Sequence, residues 1–335
     1  MKSKASIFRW TTFFVGLAIL FNSAQSGAQT TPPPPQVPTS TEEMEAIRYS
    51  FYAYDRELPL EAKLEKRDEK TSGTRWNLSY ESVHDQRVTA ILSLPKVISA
   101  PCPAVLVMHG SGGNKDSDYV SAICQEMNKR GIAALSIDAQ YRGDRTKPGH
   151  NGDLRPDSYT MRDAWVQDVI DLRRAVDYLQ SRPDIRKDNI GFIGFSMGAM
   201  LGSVLGGVES RVACFLLAVP GGGFVNLVKH VDRYPKLKEK WPISMTPEVL
   251  KRVEEFAFVA DPIYFIGKIL PRPLLMIVAT HDEIIPAEAS SALIEAGKIP
   301  SKNILTIPTG HVMTPSIIFN IRNFIIESLK PSSNK

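Results

Sequence analysis

The sequence predicts an α/β protein: a mostly parallel central sheet with helices on both faces and a small cap insertion. Three observations lead there. Short apolar runs alternate with longer segments of helical period along most of the chain. Several of the runs are continuous rather than alternating, as in strands buried on both faces. One segment, 220–271, breaks the rhythm with Pro235, Pro242 and Pro247, and reads as an insertion over one edge of the sheet.

Composition fits this class. The 335 residues are 43% apolar and 23% charged, which is ordinary globular usage and enough to bury a core. A wholly disordered chain, a collagen-like chain and a polytopic membrane protein are excluded. Cys102, Cys124 and Cys214 are too few for a disulfide scaffold and show no C-x-x-C spacing. Cys214 lies in the apolar run 212–219, where a buried free thiol is expected. The net charge of +4 is concentrated at the start: Lys2, Lys4 and Arg9 precede the first acid, Glu42. The rest is nearly neutral, and a nucleic-acid binder would keep a basic surplus there, so no nucleic-acid partner is expected.

The first element is residues 1–28. A short basic stretch precedes the 12-residue apolar run Trp10 to Phe21, and Ser26-Gly27-Ala28 follows. This is the layout of a secretory signal with cleavage after Ala28. A spanning helix needs about 20 apolar residues, so stable membrane insertion after cleavage is not expected. An uncleaved anchor is the alternative. Residues 29–41 contain four consecutive prolines, Pro32 to Pro35, and read as a stiff linker. The folded domain is expected over 42–335, secreted or periplasmic.

Arg75 to His84 and Arg87 to Leu94 read as strands joined at Asp85-Gln86. Ala104 to Met108 and Ile132 to Ile137 are buried strands flanking a helix at Tyr119 to Arg130. The clearest helix is Met161 to Leu179, where Trp165, Val169, Leu172, Val176 and Leu179 share one core-facing stripe. Strands follow at Ile190 to Phe195, Val212 to Val219, Pro273 to Ala279 and Asn303 to Ile307. Helices follow at Met197 to Leu205, Pro286 to Ala296 and Ser316 to Leu329, with one at Glu248 to Phe256 inside the insertion. Right-handed crossovers bring the strand C-terminal ends to one edge, where sites form.

The chemistry gathers at those ends. Gly194-Phe195-Ser196-Met197-Gly198 fits G-x-S-x-G between a strand and a helix. A serine on such a turn is exposed at a helix N-terminus, where free N–H groups meet developing negative charge. It needs a base. Of six histidines, His311 follows the last strand. His84 and His150 sit in expected turns, His230 in the insertion, and His281 beside the acid candidate. Asp282 follows the strand before His311 and is the expected orienting acid, with Glu283 and Asp261 as alternatives. His109-Gly110-Ser111-Gly112-Gly113 follows the first buried strand, and its glycines let the backbone approach a substrate. The Ser111 and Met197 N–H groups are the expected oxyanion donors, with His109, Gly110, Gly112 and Gly113 supporting the loop.

With these residues placed, the chain over about 75 to 330 resembles the α/β-hydrolase superfamily, and within it the dienelactone-hydrolase and acetyl-esterase-like group. The resemblance rests on Val107 through Gly113, on Asp138 through Tyr141-Arg142-Gly143-Asp144-Arg145, on the serine turn, on Asp282 through Pro286, and on Gly310-His311. Dienelactone hydrolases proper use a cysteine where this chain has Ser196, which favours a serine esterase. The order serine, acid, histidine, at spacings of 86 and 29, is that of the superfamily. The resemblance implies an α/β-hydrolase fold and an exported carboxylic ester hydrolase acting on a small-molecule, short-acyl ester. A peptidase or thioesterase on the same residues, or a binding module, are the alternatives. Without H-E-x-x-H or a dinucleotide fingerprint, no metal or organic cofactor is implied.

Overall fold

In the computed structural model, residues 40–97, 101–148, 155–312 and 314–329 are described. The expected signal segment and nearly all of the expected linker lie outside them. Nine strands form one sheet: β1 (Lys63–Lys70), β2 (Gly73–Glu81), β3 (Arg87–Pro95), β4 (Cys102–Met108), β5 (Ala133–Ile137), β6 (Ile185–Phe195), β7 (Val212–Ala218), β8 (Leu274–Ala279) and β9 (Ile304–Ile307). Their order is β1-β2-β3-β5-β4-β6-β7-β8-β9. The first three strands and β5 pair antiparallel, and β5 through β9 pair parallel. The fold is that of an α/β hydrolase.

Alternation along the strands builds two cores. On β4, Ala104, Leu106 and Met108 face one side, and Val105 and Val107 face the other. The first side is covered by α3 (Tyr159–Ser181), α4 (Met197–Val208) and α8 (Ala287–Gly297), the second by α2 (Asp118–Asn128) and α9 (Pro315–Ser328). The α3 stripe is buried as expected, from Trp165 through Leu179. Ser158 starts that helix by accepting from Met161 N. The chain leaves β4 for β5 on one side and returns to β6 on the other. The crevice outside the C-terminal ends of β4 and β6 is therefore the switch point of the sheet, where such folds place their sites.

Among the helices and strands, α1 (Thr41–Ser50), the edge strand β1 and two short helices of the insertion go beyond the sequence expectations. The insertion is helical throughout, with α5 (Phe224–Lys229), α6 (Pro235–Lys240), α7 (Pro247–Ala260) and short 3₁₀ turns. The apolar face of α7 packs on α3 and α5. Val249 and Val253 form a small core with Val228 and Ile243, and Phe256 stacks on Phe224.

The segment after β5 is an electrostatic brace. Asp138 is fully buried and accepts from Thr89 Oγ1, Lys115 N, Lys115 Nζ and Asp144 N. Gly143 has φ +51°, and a Cβ there would lie 2.2 Å from the Asp138 carboxylate. Arg145 pairs with buried Asp171 of α3 at 2.7 Å. A buried pair like this is costly to break from one side. The three cysteines are free and buried.

Candidate active site

Ser196 joins β6 to α4 with φ 53° and ψ −118°. A non-glycine residue at that φ is held in a sparsely populated region by its surroundings. Those surroundings explain the flanking glycines. A Cβ on Gly194 would lie 2.3 Å from Gly198 O, and one on Gly198 would lie 2.3 Å from Met108 O. A side chain at Gly194 would push α4 off β6, and one at Gly198 would push it off β4. Ser196 N donates to Ala218 O at 2.9 Å, which ties the turn to β7.

His311, between β9 and α9, places Nε2 2.9 Å from Ser196 Oγ. Its Nδ1 lies 2.8 Å from Asp282 Oδ2. The other oxygen of Asp282 accepts from Ile284 N at 2.9 Å and Ile285 N at 2.8 Å. The carboxylate is thus fixed by its own turn before it meets the imidazole, and it holds Nδ1 as the protonated nitrogen. Three strand ends bring the expected serine, acid and histidine together.

The alternatives lie elsewhere. Asp261 is buried and accepts from Gly223 N, Phe224 N and Ile263 N, so it braces the start of α5 and the turn after α7. Glu283 and His281 are exposed. His84 contacts Gln167, His230 contacts Asn226 O, and His150 lies outside the described residues.

The glycine loop after β4 sits beside the serine. A Cβ on Gly110 would come within 3.3 Å of Ser196 Cβ, while one on Gly112 meets nothing within 4 Å. His109 points away into the core. Its Nε2 accepts from Ala139 N at 3.1 Å, so Nδ1 carries the proton and donates to Gly110 O at 2.7 Å. Burial keeps this imidazole below its usual pKa. His109 therefore stays neutral and splints the loop. Tyr119 Oη accepts from Gly110 N at 2.8 Å, and Gly113 N closes a turn onto Gly110 O. Among the described residues the amides of Ser111 and Met197 donate to no protein acceptor, and both residues line the space around Ser196 Oγ.

Ser196 stands between two clefts. The outer one, about 730 Å³, is lined by the glycine loop, His311, Lys236 and Lys240. The inner one, about 80 Å³, runs beneath the insertion between Met197, Met161, Phe224, Leu237 and Trp241. Lys240 of α6 donates to Ser111 Oγ at 2.6 Å and so ties the insertion to the loop. Sequence reasoning missed Lys240, Trp241 and the polar residues Gln140, Arg142 and Asp168 of the inner cleft. A carboxylate within an apolar helical stripe was the available signal for Asp168. Burial pushes its carboxyl up to about 7, against the pull of Arg145.

Comparison with known proteins gives a consistent picture. Residues 50–226 match the family model for acetyl xylan esterase (AXE1), and residues 172–318 match the model for the BAAT / acyl-CoA thioester hydrolase C terminal. The chain is 29% identical over 219 residues to a putative hydrolase, YtaP, of Bacillus subtilis (strain 168), covering 61% of this chain and 68% of that protein. The structure resembles acetyl xylan esterase 1 from Thermoanaerobacterium sp. JW/SL YS485, with a TM-score of 0.65, 18% identity, and coverage of 87% of this chain and 93% of that one. It also resembles the acetyl xylan esterase from Paenibacillus sp. R4, with a TM-score of 0.62, 21% identity, and coverage of 88% and 97%. At these identities the structural likeness is one of fold.

Proposed function

Since the chain belongs to the acetyl xylan esterase (AXE1) family and is a carboxylic ester hydrolase, we propose that it works as an exported serine esterase on small acetyl or other short-acyl esters. The observation that carries this reading is the unbroken contact from Ser196 Oγ through His311 to Asp282, at 2.9 and 2.8 Å.

The steps follow from that geometry. His311 Nε2 takes the Ser196 proton as Oγ attacks the ester carbonyl. Negative charge then develops on the carbonyl oxygen, which the Met197 and Ser111 N–H groups are placed to receive. The oxyanion collapses, the C–O bond to the alcohol breaks, and His311 returns the proton to the leaving oxygen. Water, deprotonated by the same nitrogen, attacks the acyl-serine and releases the acid. Asp282 stays ionised throughout and steadies the imidazolium.

The acetyl xylan esterases among the similar structures motivate acetylated sugars as a first substrate class to try. The match to a thioester-hydrolase model over 172–318 motivates a second class, acyl thioesters. Export rests on the three-part composition of residues 1–28.

The test is labelling with a fluorophosphonate probe together with turnover of ester, thioester and amide panels. Wild type is expected to label and to favour esters. Ser196→Ala is expected to lose labelling and about four orders of magnitude or more of turnover. Retention of a tenth of the wild-type rate would sink the assignment. For export, mass spectrometry of secreted or periplasmic material should place the mature N-terminus at or near Gln29; intact Met1 in a cytoplasmic fraction refutes it.

A further inference from the structure

We propose that Lys240 is a positioning residue for the oxyanion: from the insertion it pins Ser111 so that the Ser111 N–H meets the carbonyl oxygen, and it sets a positive charge beside that oxygen. This rests on the serine-esterase reading and adds to it a residue that the serine, acid and histidine do not include.

The two expected donors are held very differently. Met197 opens α4 directly after Ser196, and the Ser196 N to Ala218 O bond ties that turn to β7, so sheet and helix set the direction of the Met197 N–H. Ser111 instead lies between Gly110 and Gly112, which leave its backbone wide conformational choice. The loop is fastened at its ends, where Gly110 N donates to Tyr119 Oη at 2.8 Å and Gly113 N to Gly110 O at 2.9 Å. At its tip, a Cβ on Gly112 would meet nothing within 4 Å. Among the described residues, the one hydrogen bond made by Ser111 is the one its Oγ accepts from Lys240 Nζ at 2.6 Å. Oxyanion stabilisation depends on donors that are aimed before the charge develops. The loop donor therefore needs a holder, and Lys240 is the holder the structure provides.

Its place fits that task. Ser111, Ser196, Lys240 and Ile284 line both clefts and so form the throat where the two meet. The reacting carbonyl must sit in this throat to reach Ser196 Oγ. The other charged side chains lie to one side of it: Lys236, Glu239 and Asp118 line the outer cleft alone, and Arg142 and Asp168 the inner cleft alone. Oγ and N of one serine are three bonds apart, so an ammonium bonded to Ser111 Oγ stands beside the Ser111 N–H. An ester that fills the throat displaces water, and the charge then acts through a lower dielectric. The helix delivers Lys240 there because Leu237, three residues earlier, is buried in the main core.

This role differs from covering the cleft or gripping the leaving group. Either of those acts on binding and moves KM. Acylation and deacylation each pass through an oxyanion, so a residue that aims its donor acts on both steps. Losing it lowers kcat and kcat/KM together and leaves KM nearly fixed.

The experiment measures kcat and KM for p-nitrophenyl acetate, a neutral ester that the lysine charge cannot attract. The variants are Lys240→Met, Lys240→Arg, Ser111→Ala and the double variant Lys240→Met with Ser111→Ala. Lys238→Met is the control: it removes one exposed charge from the same helix at a residue that lines neither cleft, and kcat is expected to stay at the wild-type value. Lys240→Met and Ser111→Ala are each expected to lower kcat about tenfold to a hundredfold, less than deletion of an oxyanion donor itself. KM should stay within about threefold. The double variant should be no slower than the slower single one, because both changes remove the same bond. Lys240→Arg, which keeps charge and donors, should recover most of the loss. Wild-type kcat in Lys240→Met, a loss confined to KM, losses that multiply in the double variant, or an arginine variant as slow as the methionine one each overturn the proposal. If Lys240→Met does not fold, Ser111→Ala decides, since it removes the bond from the other side. Wild type that neither labels with fluorophosphonate nor cleaves the ester overturns the serine-esterase reading itself. Wild type that does both, with kcat unchanged in Lys240→Met, overturns only the role of Lys240.

Discussion

Replacing Asp282 with asparagine changes one oxygen for an amide nitrogen and little else, which makes it the sharpest probe of the site. Oδ1 is already committed to the Ile284 and Ile285 amides, at 2.9 and 2.8 Å. Both are donors, so in Asp282→Asn the side-chain oxygen stays with them and the NH₂ group turns toward His311. That group is a donor too. It forces His311 Nδ1 to accept, which moves the imidazole proton to Nε2, the nitrogen facing Ser196. The base is then blocked by its own proton. A wrong tautomer of this kind lowers kcat by about 10⁴, or about 5 kcal/mol of barrier. Tm should hardly move, because the turn keeps its two hydrogen bonds. The assay is p-nitrophenyl acetate turnover beside thermal unfolding, with Glu283→Gln and Asp261→Asn in parallel. A loss of less than tenfold in Asp282→Asn, or a larger activity loss in Asp261→Asn, would refute the reasoning.

Further outcomes follow from other contacts. Gly198→Ala must move α4 about 1 Å to clear Met108 O and should lower stability by about 1–3 kcal/mol and cut activity, while Gly112→Ala should leave Tm unchanged; equal Tm values by calorimetry would contradict this. The inner cleft should give a rate maximum at acetate or butyrate across p-nitrophenyl esters, and Trp241→Ala should move that maximum to longer chains; an unmoved profile means Trp241 does not close the cleft. Asp168 has a folded-state pKa raised from 3.8 to about 7, so the folded chain holds the extra proton between those values and stability falls as pH rises from about 4 to 7. Asp168→Asn should therefore raise Tm relative to wild type more at pH 8 than at pH 4.5, at about 1.4 kcal/mol per pKa unit; an equal Tm difference at both pH values argues against it.

The strand ends were readable because a buried parallel strand writes itself as an apolar run, as β4 from Ala104, β7 and β8 do. Ser196 follows its strand directly, and two and three residues separate Asp282 and His311 from the ends of β8 and β9, so local pattern was enough to bring them to one edge. β1 has no such pattern: Lys-Leu-Glu-Lys-Arg-Asp-Glu-Lys is exposed along most of its length at the sheet edge. Its order comes from pairing with β2, and its charges suit an edge that must not pair further. The inner cleft was hidden for a different reason. Asp168 sits among apolar neighbours on α3, and periodicity alone does not say which part of a buried face lines a cleft. In the insertion, α6 and Trp241 line the inner cleft. Which short helix reaches a distant loop is decided by tertiary packing, as the Lys240 contact with Ser111 illustrates.

The burial of all three thiols opens an experimental route. Cys102, Cys124 and Cys214 are 2%, 4% and 0% exposed, and burial pushes the Cys124 and Cys214 thiols up to about 12. Only a thiolate reacts with maleimides or methanethiosulfonates, so the native chain should be silent to both at neutral pH. A single introduced thiol, such as Lys238→Cys on the exposed side of α6, would then accept a spin label or fluorophore stoichiometrically without a cysteine-free background. Distances from that probe to a second one on the sheet would report directly whether the insertion opens as esters enter and leave.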